Sequence, residues 1–238
     1  MKVLGIDTSS MAASIAVIED DTLICEFVVN DTKTHSQKLM VMIEEMLKIS
    51  DIDVNEIDLL AVCIGPGSFT GIRIGVATAK AISHVNDIPI VAVNSLESIA
   101  QNASLSDKII LPILDAQKNQ VYSAEYKYGK DGKFGGIETI SDIQIKEIEA
   151  LVDEIKNSDK EYVILGEAVY KYIDKFKELK NVKVCDSIYN VSKGSSLCLC
   201  GINKFRQEKD IYNCYDIKPM YIKKSQAEIQ YEQKHKEV

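Results

Sequence analysis

Two aspartates close apolar runs that read as strands, and each is followed by a polar turn: Asp7 by Thr8, Ser9 and Ser10, and Asp115 by Ala116 and Gln117. A carboxylate beside hydroxyls at a strand end suits a phosphate and its divalent ion, so Asp7, Thr8, Ser9 and Asp115 form a candidate, vestigial nucleotide-binding set. The bland reading outweighs it, because an aspartate at a strand end is commonly a turn former, and the turn Gln117, Lys118, Asn119 offers no glycine for close phosphate approach. The loop GPGSFTG (65–71) is a further candidate phosphate cradle, but it lacks the P-loop spacing and no GxGxxG is present. A tight strand-to-helix turn explains it equally well.

Metal and nucleophile chemistry are poorly supplied. The three histidines, His35, His84 and His235, make no pair at helical spacing, which excludes HExxH and HxxxH sites. His35 reads as a cap or packing residue at the start of its helix. No GxSxG elbow exists, and the six cysteines (Cys25, Cys63, Cys185, Cys198, Cys200, Cys214) fall mostly in apolar runs without a CxxC spacing, as expected of reduced, buried thiols. We therefore assign no catalytic residue and no metal ligand.

The stretch 59–85, LLAVCIGPGSFTGIRIGVATAKAISHV, positions these features. It reads as a buried strand (59–64), a glycine loop that Ser68 or Thr70 can cap, and a long helix. Gly71, Gly75 and Ala79 recur every four residues, and Ile72, Ile74, Val76 and Ile82 supply bulk, so the helix is small or apolar nearly all round. Such a helix is buried on two faces; one belongs on the sheet, and the other requires a partner. A second helix, 36–50, carries Leu39, Met40, Met42, Ile43, Met46 and Leu47. Its methionines either fill a core or form an adaptable protein-binding face.

Around this unit the chain reads in order as a three-strand meander (3–6, 13–18, 22–29), the two helices, a strand at 90–93, and a helix from Ser95, a possible cap, to 103. The opening pattern then returns, with Asp115 matching Asp7 108 residues later: a strand at 109–114, a turn, a strand at 121–128, a hairpin at 129–132 and a third strand leading away from Lys133. Helices at 144–157, 168–179 and 192–207 and strands at 162–165 and 182–185 follow. The repetition predicts two α/β lobes, residues 1–104 and 105–225, and a frayed tail at 226–238.

Composition narrows the class. With 46% hydrophobic and 27% charged residues the chain is expected to be globular and cytoplasmic, with no signal peptide and no membrane span. The net charge of −8 (28 basic, 36 acidic) shows no basic stripe before Lys223 and Lys224, which argues against independent tRNA or DNA binding.

Taken together, MKVLGIDTSSMAASIAV, THSQKLM, IGPGSFTGIRIGVATAKAI, VNSLESIA, LPILDAQKNQVYSAEY and PMYIKKSQAE resemble the bacterial TsaB (YeaZ) family over residues 1 to about 228. The resemblance implies a two-lobed actin-like (ASKHA, ribonuclease H-like) fold with mixed sheets. It implies a non-catalytic paralogue of TsaD, the subunit that transfers threonylcarbamoyl to adenosine 37 of tRNAs reading ANN codons. The TsaD paralogue carries two metal-binding histidines where this chain has Ser95 and Ile99, so no metal is expected. Family likeness also implies that the two helices bind TsaD, with TsaE joining the complex, or form a homodimer when alone. His35, Leu39, Met42, Ile43, Met46, Gly71, Ile72, Gly75 and Ala79 are the expected partner-binding residues. No cofactor is expected, ATP being possible only in complex with partners, and tRNA would be met only through the complex. One departure is Gln117, where the family commonly carries arginine. The rival readings are a self-standing homodimeric scaffold, a weak ATP-binding or ATP-hydrolysing enzyme of the same fold, and a metallopeptidase, which the missing histidine pairs disfavour.

Overall fold

The computed structural model describes residues 1–31, 35–129 and 136–223. Its first sheet grows from two strands that are apolar on both faces, β1 (Lys2–Asp7) and β2 (Ala12–Glu19), paired antiparallel from Lys2 opposite Glu19 to Asp7 opposite Ser14. β3 (Thr22–Asn30) adds antiparallel to β2, with a bulge at Val17/Ile18. The chain then forms α1 (His35–Ile49) and enters β4 (Leu59–Cys63), parallel to β1 on its other side. After α2 (Phe69–Asn86), β5 (Ile90–Val93) lies parallel to β4.

Period-two alternation in these strands produces two cores, one on each face of the sheet. Leu4, Ile6, Ile15, Val17, Leu60, Val62 and Ile90 face α1 and α2. Val3, Ala16, Ile18, Leu59, Ala61, Val91 and Val93 face the opposite way, against the last helix, α6 (Gly194–Arg206).

Following α3 (Ser95–Ala100), the second sheet starts with β6 (Ile109–Asp115). β7 (Gln120–Ser123) and β8 (Tyr126–Gly129) both pair with β6, at its two ends, and β9 (Gly136–Thr139) pairs with β8. β10 (Gln144–Glu147) pairs with β7 and leads into α4 (Ile148–Lys156). β11 (Tyr162–Leu165), α5 (Ala168–Lys177) and β12 (Val182–Val184) extend the parallel side. α4 and α5 cover one face of this sheet, and α3 packs on the other through Leu96, Ile99 and Ala100.

α6 (Gly194–Arg206) crosses back onto β1, β2, β4 and β5, and β13 (Ile211–Tyr212) pairs with β5 as an edge strand. The layers therefore run from α1/α2 through the first sheet, α6 with α3, and the second sheet to α4/α5. This two-lobed arrangement with mixed sheets is the actin-like fold expected from the sequence. Lys204 of α6 ties the middle layer through ion pairs to Glu97 of α3 (2.9 Å) and to Asp210 (2.8 Å).

Several sequence expectations change. The strand at 121–128 is two strands broken at Ala124 and Glu125, because β6 is paired in turn by each half. The helix at 144–157 begins as β10, whose Ile145 sits opposite Tyr122. Asn94, not Ser95, caps α3 by accepting from Glu97 N, and Ser95 Oγ instead donates to Pro66 O. The helix shortens to 95–100 and gives way to a 3-10 turn at 101–103. The 105–225 lobe also loses α6 and β13 to the first sheet, whose second apolar face needs a cover. Most of the hairpin at 129–132, Lys133 and the tail at 226–238 lie outside the described residues. Among the described residues no helix is long and apolar enough to cross a membrane.

The small residues of α2 have an internal explanation. A Cβ on Gly71 would stand 2.0 Å from Thr8 O, and one on Gly75 would stand 2.5 Å from Thr8 Oγ1. Both positions admit only glycine because the helix backbone rests directly on the β1–β2 turn. Gly75→Leu is expected to destabilise the isolated chain by about 1 to 3 kcal/mol, the usual scale of overpacking. Chemical denaturation of the variant without any partner measures this, and an unchanged midpoint would refute the contact.

Candidate functional site

The β1–β2 turn is closed from within. Ser9 donates to Asp7 Oδ1 through both N (2.8 Å) and Oγ (2.7 Å), and Thr8 Oγ1 donates to Gly71 O (2.7 Å). Asp7 and Thr8 are fully buried beneath the turn, and Asp7 Oδ2 is enclosed without a hydrogen-bond partner. Burial pushes the Asp7 carboxyl above the ordinary carboxylate range, opposed by the two hydrogen bonds from Ser9.

Above the turn, a cleft of about 640 Å³ separates the lobes. Ser9, the N-terminal end of α2, Asp115, Gln117, Glu167 and Lys223 are among its walls. Asp115 accepts from Gln117 N (3.2 Å) and pairs with Lys171 (3.3 Å). Burial, with Asp115 and Asp7 adding repulsion, raises the Glu167 carboxyl above its usual range. The second turn is tight: Gln117, Lys118 and Asn119 take left-handed φ values of 62°, 50° and 57°. Lys223 Nζ donates to Ala116 O (2.5 Å) and Gln120 Oε1 (2.8 Å), so the chain's own ammonium sits on the turn that would form a second phosphate loop.

Of the candidate nucleotide set, then, Ser9 and Asp115 reach the cleft, whereas Asp7 and Thr8 turn into the protein. That disposition does not fit a bound nucleotide and its metal. The Asp7 carboxylate and Thr8 hydroxyl that would hold them are buried in the turn, and the two carboxylates that line the cleft, Asp115 and Glu167, would repel a phosphate. Among the described residues, no group of three or more His, Cys, Asp and Glu could hold a metal ion. Ser95 and Ile99 are both buried, Ile99 in the core beneath the second sheet.

The expected partner-binding residues are also placed inside. Leu39, Met42, Ile43, Met46, Ile72 and Ala79 belong to the core between the helices and the first sheet, and Gly71 and Gly75 lie on Thr8. This corrects the expectation that they form a pairing surface: the residues of a helix that face its own sheet cannot also face a partner. His35 is half-buried, its Nε2 donating to Ser10 O (2.8 Å), and it ties the start of α1 to the β1–β2 turn.

The outer face of the same helices has a different composition. On α1, Met40 (55% exposed), Val41 (57%) and Ile49 (68%) stand in solvent, and on α2 Val85 (80%) does so beside exposed Ala77 and Ala81. One flank of α2 is held by the segment 213–223: Tyr215 packs edge-on against His84, and Tyr221 stacks with Phe69 and bonds Arg73. Sequence reasoning missed Glu167, Tyr221 and Arg73. A signal existed only for Arg73, a charge within an otherwise small and apolar helix.

The closed turn makes a stability prediction. The folded pKa of Asp7 lies above the unfolded value of about 3.9, so the native state holds this proton more firmly and stability is lost as pH rises through that window. Asp7→Asn is therefore expected to raise the melting temperature at pH 7. The gain should shrink on acidification and vanish below the unfolded pKa, where the carboxyl is protonated in both states. Thermal melts of both proteins at the two pH values decide it, and a lower midpoint for the variant at pH 7 would count against it.

Comparison with known proteins agrees with this architecture. The family profile described as "TsaD: tRNA N6-adenosine threonylcarbamoyltransferase" matches residues 22–231. The chain is 31% identical over 230 residues to the "tRNA threonylcarbamoyladenosine biosynthesis protein TsaB" of Bacillus subtilis, covering 96% of each chain. It is 31% identical over 180 residues to the protein of the same name in Escherichia coli K12, covering 75% of this chain and 76% of that one. Its fold matches YeaZ from Pseudomonas aeruginosa with a TM-score of 0.77 at 18% identity, over 93% of this chain and 99% of the other. On the strength of the near full-length match to the first of these relatives, the chain belongs to the TsaB (YeaZ) family.

Proposed function

We propose that this chain is a non-catalytic subunit of the cytoplasmic machinery that makes N6-threonylcarbamoyladenosine at position 37 of tRNAs reading ANN codons. In this reading the outer face of α1 and α2 binds the TsaD-type subunit, the same face makes a homodimer in its absence, and TsaE joins the assembly. The observation that carries it is the exposure of Met40, Val41, Ile49, Val85, Ala77 and Ala81 on two adjacent helices. Ala77, Ala81 and Val85 recur every four residues and share one exposed stripe of α2, and such a stripe, on a helix packed next to another with Met40 and Val41 in solvent, supports a protein interaction surface. A pair of such helices buries its exposed side efficiently against a second pair.

The absence of catalysis is supported by the inward-facing Asp7 and Thr8 and by the cleft, where the carboxylates meet no nucleophile and base pair. The net charge of −8 supports contact with tRNA through the complex only. The weak ATP enzyme is the less favoured rival, since its phosphate loop is occupied by Lys223.

Reconstituted tRNA modification with and without this chain tests the role, and equal product in both would overturn it. Met40→Glu and Val85→Glu test the surface. Each places a carboxylate where pairing would strip it of water, at a cost of a few kcal/mol, so affinity for the TsaD-type subunit should fall at least about tenfold. Since both side chains are exposed, the melting temperature of the free chain should not move. Unchanged binding by both variants would remove this face from the reading.

A further inference from the structure

Arg73 is held in a manner that its surroundings do not require. Its guanidinium carbon lies 3.7 Å from the centroid of the Phe69 ring and 5.5 Å from that of Tyr221, and its Nε donates to Tyr221 Oη (2.7 Å). The two rings are themselves 5.1 Å apart, and Ile217, four residues before Tyr221, is anchored in the core beneath α2. The planar group is thereby fixed in orientation, with Nε used and the Nη edge, the part that grips a carboxylate with two parallel bonds, left over.

No carboxylate of the described residues lies within ion-pair distance of Arg73, which is exposed, whereas Arg206 pairs with Asp21 at 3.8 Å. These are the only two arginines in the chain, against 26 lysines. In a sequence that uses lysine almost everywhere for positive charge, an arginine stacked on aromatic rings points to a need for the planar fork. One helical turn on from it stands exposed Ala77, so the cation is at the rim of the apolar face. An apolar centre with arginine at its border is the usual anatomy of a protein interface. A phosphate backbone would call for a row of cations, and the exposed side of α1 instead carries Glu44 and Glu45.

We infer that Arg73 is the receptor for a carboxylate side chain of the partner subunit, clamped by Phe69 and Tyr221 in the geometry for two-pronged recognition. This rests on the pairing reading above. The test is titration of the TsaD-type subunit against the unmodified chain, Arg73→Gln, Arg73→Lys and Met40→Glu at low and high salt, each variant first checked by circular dichroism and melting. Arg73→Gln is expected to weaken binding about tenfold and to flatten its salt dependence, and Arg73→Lys to recover only part of the loss. If Met40→Glu weakens binding and Arg73→Gln does not, this inference falls and the pairing reading stands; if neither does, both fall. Full recovery by lysine would mean that a bare charge suffices and would overturn the two-pronged contact. Unchanged partner affinity with weaker tRNA retention by the complex would overturn it in favour of a phosphate. Should Arg73→Gln lower the melting temperature, Tyr221→Phe decides. It keeps the ring and removes only the Nε anchor, so weaker binding at unchanged stability supports the inference and unchanged binding refutes it.

Discussion

The seat of α2 on the β1–β2 turn constrains the remainder of the molecule. At Gly71 and Gly75 the helix backbone comes so near Thr8 that no side chain fits between them. Thr8 is drawn into a bond with Gly71 O, and Asp7 is sealed below with Ser9 as its partner. Helix and turn thus close this loop from within. The same contact sets the rotation of α2, and with it the choice of residues that look outward.

Much of the fold was legible because its signals are local. β5 and β11 fall on the expected residues, and β1, β2, β4, α1 and α2 within about two, since alternation and helical periodicity are strong there. The failures lie where pairing partners decided the outcome. Ile143, Gln144, Ile145 and Lys146 alternate apolar and polar only briefly before a helical spacing takes over, and Gln144–Glu147 is extended because it pairs with β7. The break at Ala124 and Glu125 exists because β6 is shared. The return of α6 to the first lobe is likewise a long-range event, which no residue of 194–206 announces by itself.

The candidate site illustrates a subtler limit. A helix that is small on one side and apolar on another has two plausible orientations, and the spacing of Gly71, Gly75 and Ala79 does not state which side meets its own sheet. The reading that gave these residues to a partner placed on the surface side chains that face the first sheet and the β1–β2 turn. Distinguishing them requires knowing that Thr8 comes within bonding distance of Gly71, a contact spanning 63 residues. By contrast, the outward residues Met40, Val41 and Val85 look unremarkable in sequence, and only their exposure gives them meaning.

The position of α6 also bears on how the chain is made. One whole face of the first sheet, from Val3 to Val93, has its buried apolar cover in Leu197, Cys198, Cys200 and Ile202 of α6, with Ile137, Leu199 and Phe205 packed beside them. On the ribosome, therefore, residues 1–104 emerge with that face open to water for the time taken to synthesise another hundred residues. The N-terminal lobe cannot reach its final packing as each strand appears. Folding of this protein is consequently a late, whole-chain event, and the nascent lobe is a natural client for chaperones that shield apolar sheet surface.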